Sequence, residues 1–194
     1  MKIAILGATS QIASDLIKSM SEAGHHELYL YARRPFALQL QPSSLADTSV
    51  VHAGDFASLY SVKYNFDALI NFVGVGNPAA ATQMGAAIFD VTHKFDSLTL
   101  DYLRSDPGCR YVFFSSGAAY GGSFMAPADE HTPAVFPINL IEPAGWYGVA
   151  KMYAECRHRT LADVPILLSS FRSQETIAAY LRKTMPNPLI LLYP

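Results

Sequence analysis

Tyr147 and Lys151 stand one helical turn apart in the stretch Gly145-Trp146-Tyr147-Gly148-Val149-Ala150-Lys151. Positions i and i+4 share a helix face, so the Lys151 ammonium can sit beside the Tyr147 phenol. A nearby cation favours the phenolate and lowers a pKa that starts near ~10. Such a tyrosine can give or take a proton near neutral pH, which is general acid–base chemistry. An amphipathic surface helix gives the same spacing by chance, so the rest of the chain decides the reading.

At the N-terminus, the apolar run Lys2-Ile3-Ala4-Ile5-Leu6 leads into Gly7-Ala8-Thr9-Ser10-Gln11-Ile12-Ala13, then a helical pattern through Leu16, Ile17 and Met20. Strand, small-residue turn and helix form the phosphate-binding opening of a βαβ unit, where backbone N–H groups face a dinucleotide pyrophosphate. Gly7, Thr9, Ser10, Gln11 and Ile12 are the candidates to line it. Ser10 places a side chain where bare backbone would suit the ligand, although its hydroxyl could itself bond phosphate. Further on, Arg110-Tyr111-Val112-Phe113-Phe114 reads as a buried strand ending in Ser115-Ser116-Gly117. Ligands of open α/β sheets collect at the carboxyl ends of strands. That pair of hydroxyls is therefore placed to hold a substrate hydroxyl or carbonyl. The second strand, Glu27-Leu28-Tyr29-Leu30-Tyr31, ends in Ala32-Arg33-Arg34-Pro35. A carboxylate here would bind a ribose 2′-OH and reject a 2′-phosphate. Ala32 takes that place, and Arg33 and Arg34 suit a phosphate monoester, so NADP is expected ahead of NAD.

With these residues in order, the chain resembles the extended short-chain dehydrogenases/reductases, the NAD-dependent epimerases/dehydratases. The resemblance covers residues 1 to about 172. Gly7 to Ala13 is similar to that family's G-x-x-G-x-x-G loop, with Ser10 and Ala13 in place of the later glycines. Gly54-Asp55-Phe56 resembles the Gly-Asp-Leu whose aspartate meets the adenine, and Asp67 to Gly74 the fourth strand and the small residues against the cofactor. Ser115-Ser116-Gly117-Ala118-Ala119-Tyr120-Gly121 resembles Ser-Ser-x-x-Val-Tyr-Gly, and Glu130-His131-Thr132-Pro133 resembles Glu-x-x-Pro. Tyr147-Gly148-Val149-Ala150-Lys151 with Glu155 resembles Tyr-Gly-x-Ser-Lys and its trailing glutamate. The resemblance implies an NAD(P)-dependent oxidoreductase or epimerase acting on a nucleotide-activated sugar. Tyr147 would be the general acid/base. Lys151 would lower the tyrosine pKa and hold the nicotinamide ribose. Ser116, with Ser115 as alternate, would orient the substrate oxygen. Asp55 and Phe56 would meet the adenine, and Val73 and Gly74 the middle of the cofactor. The family's substrate lobe lies largely beyond the sixth strand, where this chain stops. A non-catalytic NAD(P)-binding sensor or assembly protein is therefore the alternative.

The elements that must position these residues follow from the alternation of apolar runs and helical patterns. Strands are expected near 2–7, 27–31, 49–52, 67–72, 110–115 and 164–170, and helices near 11–23, 78–104 and 146–161, with a shorter one near 56–62. Alternating strand and helix imply a doubly wound, mainly parallel, three-layer αβα fold. Residues 1–172 are expected to form the NAD(P)-binding, Rossmann-like domain. Residues 173–194 are expected to form a short extension, with a helix begun at Ser173 and an apolar tail from Met185 serving as an added strand or oligomer contact. Residues 121–145 read as an ordered active-site loop. The segment 78–104 offers Met84, Ile88, Val91, Phe95, Leu98 and Tyr102 at helical spacing, and the helix from 146 adds Met152, Tyr153 and Cys156. Both point to a homodimer.

The 194 residues suffice for one substantial core. A net charge of −2 with no basic tract argues against a nucleic-acid partner. No run approaches the ~20 apolar residues of a membrane span. Cys109 and Cys156 fit neither a metal spacing nor a disulfide framework, so reduced thiols and a cytoplasmic setting are expected, with no metal.

Overall fold

The computed structural model describes residues 1–35, 51–61, 65–75, 77–122, 131–161, 166–170 and 189–193. Seven strands lie in one sheet: β1 (Lys2–Leu6), β2 (Glu27–Tyr31), β3 (Val51–Gly54), β4 (Ala68–Asn71), β5 (Arg110–Phe114), β6 (Ile166–Ser170) and β7 (Leu189–Tyr193). Their order is β3-β2-β1-β4-β5-β7-β6, and every pairing is parallel. The helices are α1 (Gln11–Ala23), α2 (Ser58–Ser61), α3 (Pro78–Met84), α4 (Ile88–Ser105) and α5 (Trp146–Arg159).

Side chains alternate across a strand, and β1 shows what that does here. Ile3 and Ile5 join a core with Ala13, Leu16, Ile17 and Met20 of α1. Ala4 and Leu6 point the other way, into a core shared with Leu100 and Leu103 of α4 and Ala154 of α5. A sheet with apolar residues on both faces needs helices on both, which gives three layers. The four α1 residues fall on one stripe at helical spacing. Ser10 caps the helix start by accepting a hydrogen bond from the Ala13 N–H at 3.2 Å, and Gly24 closes the end in the left-handed conformation.

Three boundaries differ from the sequence pattern. The third strand runs two residues later than expected. The anticipated helix over 78–104 is two helices joined by a 3₁₀ turn at Gly85–Ala87, because Gly85 (φ 50°) leaves the right-handed region. The apolar positions expected on that helix for a partner turn largely inward: Ile88 and Tyr102 are buried, and Phe95 packs on Phe56. The apolar tail does form an added strand, and β7 lies between β5 and β6. The proposed helix after Ser173 lies outside the described residues.

Removing a serine cap for alanine typically costs ~1 kcal/mol, whereas glycine at the cap costs a few tenths. Ser10→Ala should therefore lower stability in urea denaturation by ~1 kcal/mol, and Ser10→Gly by clearly less. Equal losses would show that the hydroxyl contributes nothing as a cap.

Candidate active site

The register brings five strand ends level. Tyr31 pairs with Leu6 and Gly54, and Asn71 pairs with Leu6 and Phe113. The turns that follow, at Gly7–Ser10, Ala32–Arg34, Asp55–Phe56, Phe72–Gly74 and Ser115–Ser116, therefore emerge along one edge. Every residue singled out from the sequence for cofactor or substrate, apart from Tyr147 and Lys151, comes from these turns and the opening of α1.

The first turn is fixed by the backbone. Gly7 and Ala8 donate to the Tyr31 carbonyl at 2.9 and 3.2 Å. Gly7 has φ 76°, and a Cβ there would lie 3.0 Å from the Phe72 carbonyl carbon and the Val73 nitrogen. Only glycine fits such a place without strain. Thr9, Gln11 and Ile12 are exposed beyond it, Ile12 at 49%. Ser10, also expected at the phosphate, accepts the Ala13 N–H through its hydroxyl oxygen, which leaves the hydroxyl proton to donate. Arg33 and Arg34 are exposed at the adjacent strand end. The Asp55 carboxylate accepts from the Ser58 N–H at 2.9 Å, opening α2, and the Phe56 ring lies 4.5 Å from that of Phe95. Val73 donates to the Asn71 side-chain oxygen at 2.9 Å. A Cβ on Gly74 would stand 3.5 Å from Lys151 Nζ, which ties the fourth-strand turn to α5.

Close packing presents α5 to this edge. A Cβ on Gly148 would collide with the Ala118 carbonyl oxygen, so glycine lets the helix lie directly on the turn after β5. The Phe136 ring wedges between Gly148 and Gly121, and Val135 donates to the Tyr120 carbonyl at 2.9 Å. This orders the described part, 131–145, of the expected active-site loop. A cavity of about 280 Å³ opens there, with Ala118, Phe136, Leu140 and Gly148 among its walls. Tyr147 packs against the buried cluster of Ala81, Ile88 and Ala150, and its phenol is hydrogen-bonded by the Ser116 side chain. Ser115 does not compete for it: buried, it donates its hydroxyl to the Glu155 carboxylate.

Lys151 is 6% exposed. Its Nζ donates to the Phe114 carbonyl at 2.7 Å and lies 4.6 Å from the Phe113 ring centroid and 5.9 Å from that of Tyr147. Burial pulls its pKa down to about 8, against the opposing charges of Glu155 and Asp96. The lowering of Tyr147 expected from Lys151 is not what the surroundings give. Burial raises the phenol above its ordinary value, and the Ser116 hydrogen bond is what pulls it back.

A polar network behind the site escaped the sequence reading. Asp96 of α4 is 2% exposed, accepts from Arg157 at 2.7 Å and pairs with His158. Asn71 donates to the Tyr111 hydroxyl at 3.1 Å. The available signal was a carboxylate on the sheet-facing side of an apolar stripe, matched by Arg157-His158 near the end of α5.

Lys151 gives a pH test whose sign is fixed. The unfolded chain keeps this proton up to the ordinary lysine value of 10.5, while the folded one releases it near 8. Between those values the unfolded state binds more protons, so this group makes the fold more stable as pH rises. Urea titrations should show the stability difference between the native chain and Lys151→Met moving in favour of the native chain from pH 7 to 10. The full change is on the order of 3 kcal/mol. A difference independent of pH would contradict the buried placement.

Comparison with known proteins agrees with this architecture. The NAD dependent epimerase/dehydratase family model matches residues 3–162. A search of curated proteins finds no match. Among solved structures, the chain is similar to the UDP-Glc/GlcNAc 4-epimerase of Campylobacter jejuni, with a TM-score of 0.65 and 18% identity over 88% of this chain and 53% of that one. It is similar to the UDP-glucose 4-epimerase of Bifidobacterium longum, solved with NAD+ and UDP, with 0.63 and 18% over 88% and 53%. It is also similar to the dTDP-glucose 4,6-dehydratase of Bacillus anthracis, solved with NAD, with 0.60 and 16% over 100% and 54%. At these identities the likeness speaks for the fold, and the chain spans about half the length of those proteins. With the family model matching most of its length, the chain belongs to the NAD-dependent epimerase/dehydratase family.

Proposed function

We propose that this chain is an NAD(P)-dependent epimerase, dehydratase or reductase acting on a nucleotide-activated sugar, with Tyr147 as the general acid/base. The observation that carries the reading is the Ser116 hydrogen bond to the Tyr147 phenol, on the sheet edge that also bears the Gly7 turn. Family membership supports the reaction class. The nucleotide-sugar enzymes among the structural relatives support the substrate class.

The residues present suit a dinucleotide. Gly7 leaves a cradle that a Cβ would fill, Ile12 offers an exposed apolar side chain at the opening of α1, and Gly74 keeps the approach to Lys151 clear. Gly7, Thr9, Gln11 and Ile12 would line the pyrophosphate, with Ser10 shaping the turn as its cap. Asp55 and Phe56 would flank the adenine, and Val73 and Gly74 the centre of the cofactor. The bound dinucleotide would supply the hydride acceptor and donor. The Tyr147 oxygen takes or returns the proton of a substrate hydroxyl, Ser116 orients that hydroxyl, and Lys151 holds the nicotinamide ribose. Two of the relatives named above, from Bifidobacterium longum and Bacillus anthracis, were solved with NAD. The preference proposed here is NADP, because Ala32 is followed by two exposed arginines that suit a 2′-phosphate.

We also propose a homodimer built on α4 and α5. There Phe89 lies beside Trp146 and Tyr153, and Tyr153 is 36% exposed. Among the described residues no helix is long and apolar enough to cross a membrane.

General acid–base catalysis contributes typically ~10²–10⁴-fold. Tyr147→Phe should lower turnover of a nucleotide sugar by that range while leaving dinucleotide affinity, measured by calorimetry, nearly unchanged. Undiminished turnover would remove Tyr147 from the chemistry. Dinucleotide binding with no turnover across a panel of nucleotide sugars would favour the sensor or assembly reading instead. In the same calorimetry NADP should bind more tightly than NAD, and replacing Arg33 and Arg34 should abolish the difference. Tighter NAD binding unaffected by those replacements would refute the preference. Light scattering at micromolar concentration should give twice the chain mass; a monomer would refute the dimer.

A further inference from the structure

Three consecutive residues at the end of β5 each meet a different residue of α5. The Phe114 carbonyl takes the Lys151 ammonium, the Ser115 hydroxyl goes to the Glu155 carboxylate, and Ser116 meets the Tyr147 phenol. Tyr147, Lys151 and Glu155 sit at i, i+4 and i+8, on one helix face. The last two are buried, at 6% and 8% exposure, and Ser115 is buried at 2%. A carboxylate so enclosed is retained at a cost unless it answers both a hydrogen bond and a charge. Ser115 supplies the bond, and Lys151, one turn away, supplies the charge.

We propose that Glu155 is a positioning residue for the Tyr147–Lys151 pair: its buried carboxylate holds Ser115, so that Ser116 is the hydroxyl left facing Tyr147, and it provides the counter-charge that keeps the enclosed Lys151 cationic. This deepens the reading of Tyr147, Lys151 and Ser116 given above and rests on it. The other groups facing Lys151 are Asp96 from α4, the Phe114 carbonyl and Phe113 ring from β5, Tyr147 from its own helix, and Gly74 from the turn after β4. Asp96 is the second negative charge in the set, but Arg157 and His158 already engage it. Of the carboxylates acting on Lys151, Glu155 exerts the larger effect.

The test follows the lysine itself, without dinucleotide or sugar. Lysine is labelled with carbon-13 at Cε, and the Lys151 resonance is identified by its loss in Lys151→Met and followed by NMR against pH. The native chain should titrate near pH 8. Glu155→Gln keeps the shape and the acceptor oxygen but removes the charge, and its midpoint should fall by about one pH unit or more. Glu155→Asp keeps the charge, and its midpoint should stay near the native value. An unmoved midpoint in Glu155→Gln overturns the proposal, and so does an equal fall in both variants. If circular dichroism shows Glu155→Gln unfolded, Glu155→Asp decides alone: a retained midpoint supports the role, and a fall of that size overturns it. Because no ligand or turnover enters the measurement, its failure leaves the Tyr147→Phe result standing, and the reverse holds equally.

Discussion

Placing a lysine ammonium where water scarcely reaches is expensive, and the geometry around Lys151 is organised by what offsets that cost. One proton donor finds the Phe114 carbonyl, the charge sits over the face of Phe113, and two carboxylates answer it from α5 and α4. The two partners from β5 are available only if α5 lies hard against the end of that strand. Gly148 permits that approach, and Phe136 locks the neighbouring segment in place. The position of Tyr147 is a consequence: once Lys151 is seated, the residue one turn earlier must stand over Ser116. The Tyr147–Lys151 pair is thus located by packing at least as much as by its own chemistry.

The enclosure that seats Lys151 also works against the simplest view of the pair. A lysine near a tyrosine lowers its pKa when the charge faces the phenol in a polar setting. Here Tyr147 packs against the apolar cluster of Ala81, Ile88 and Ala150, and loss of solvent raises the phenol. The neighbour that does favour the phenolate is Ser116. Hydroxyl and ammonium therefore divide the work, one acting directly on the phenol and the other holding the end of the strand.

Much of this was legible in the chain. Strands β1, β2, β4 and β5 and helices α1 and α5 follow from apolar runs and helical spacing, because burial on both sheet faces imposes those patterns. The glycine turn was legible because a left-handed residue after a strand has few alternatives to glycine. Less legible were features set by partners distant in sequence. That Ser10 also caps α1, by accepting the Ala13 N–H, was not part of the sequence reading. The stripe from Met84 to Tyr102 looked continuous, but one glycine ends α3 and the stripe turns toward its own sheet. Ser116 was already ranked ahead of Ser115 in the sequence; what the chain did not disclose is that Glu155 reaches across to the Ser115 hydroxyl.

The insertion of β7 between β5 and β6 bears on the order in which the chain can assemble. β2 to β5 can pair as they arise, each finding a neighbour that precedes it. β6 cannot, because among the described residues its partner in the sheet is β7, which follows it in sequence and also pairs with β5. Loop closure has to be met before such a pairing gives anything back, which slows this half of the sheet relative to the rest. Until then the far side of β5 is an open edge, the kind of surface that recruits strands from other chains. The strand that leads into Ser115 and Ser116 is therefore also the one whose protection comes last.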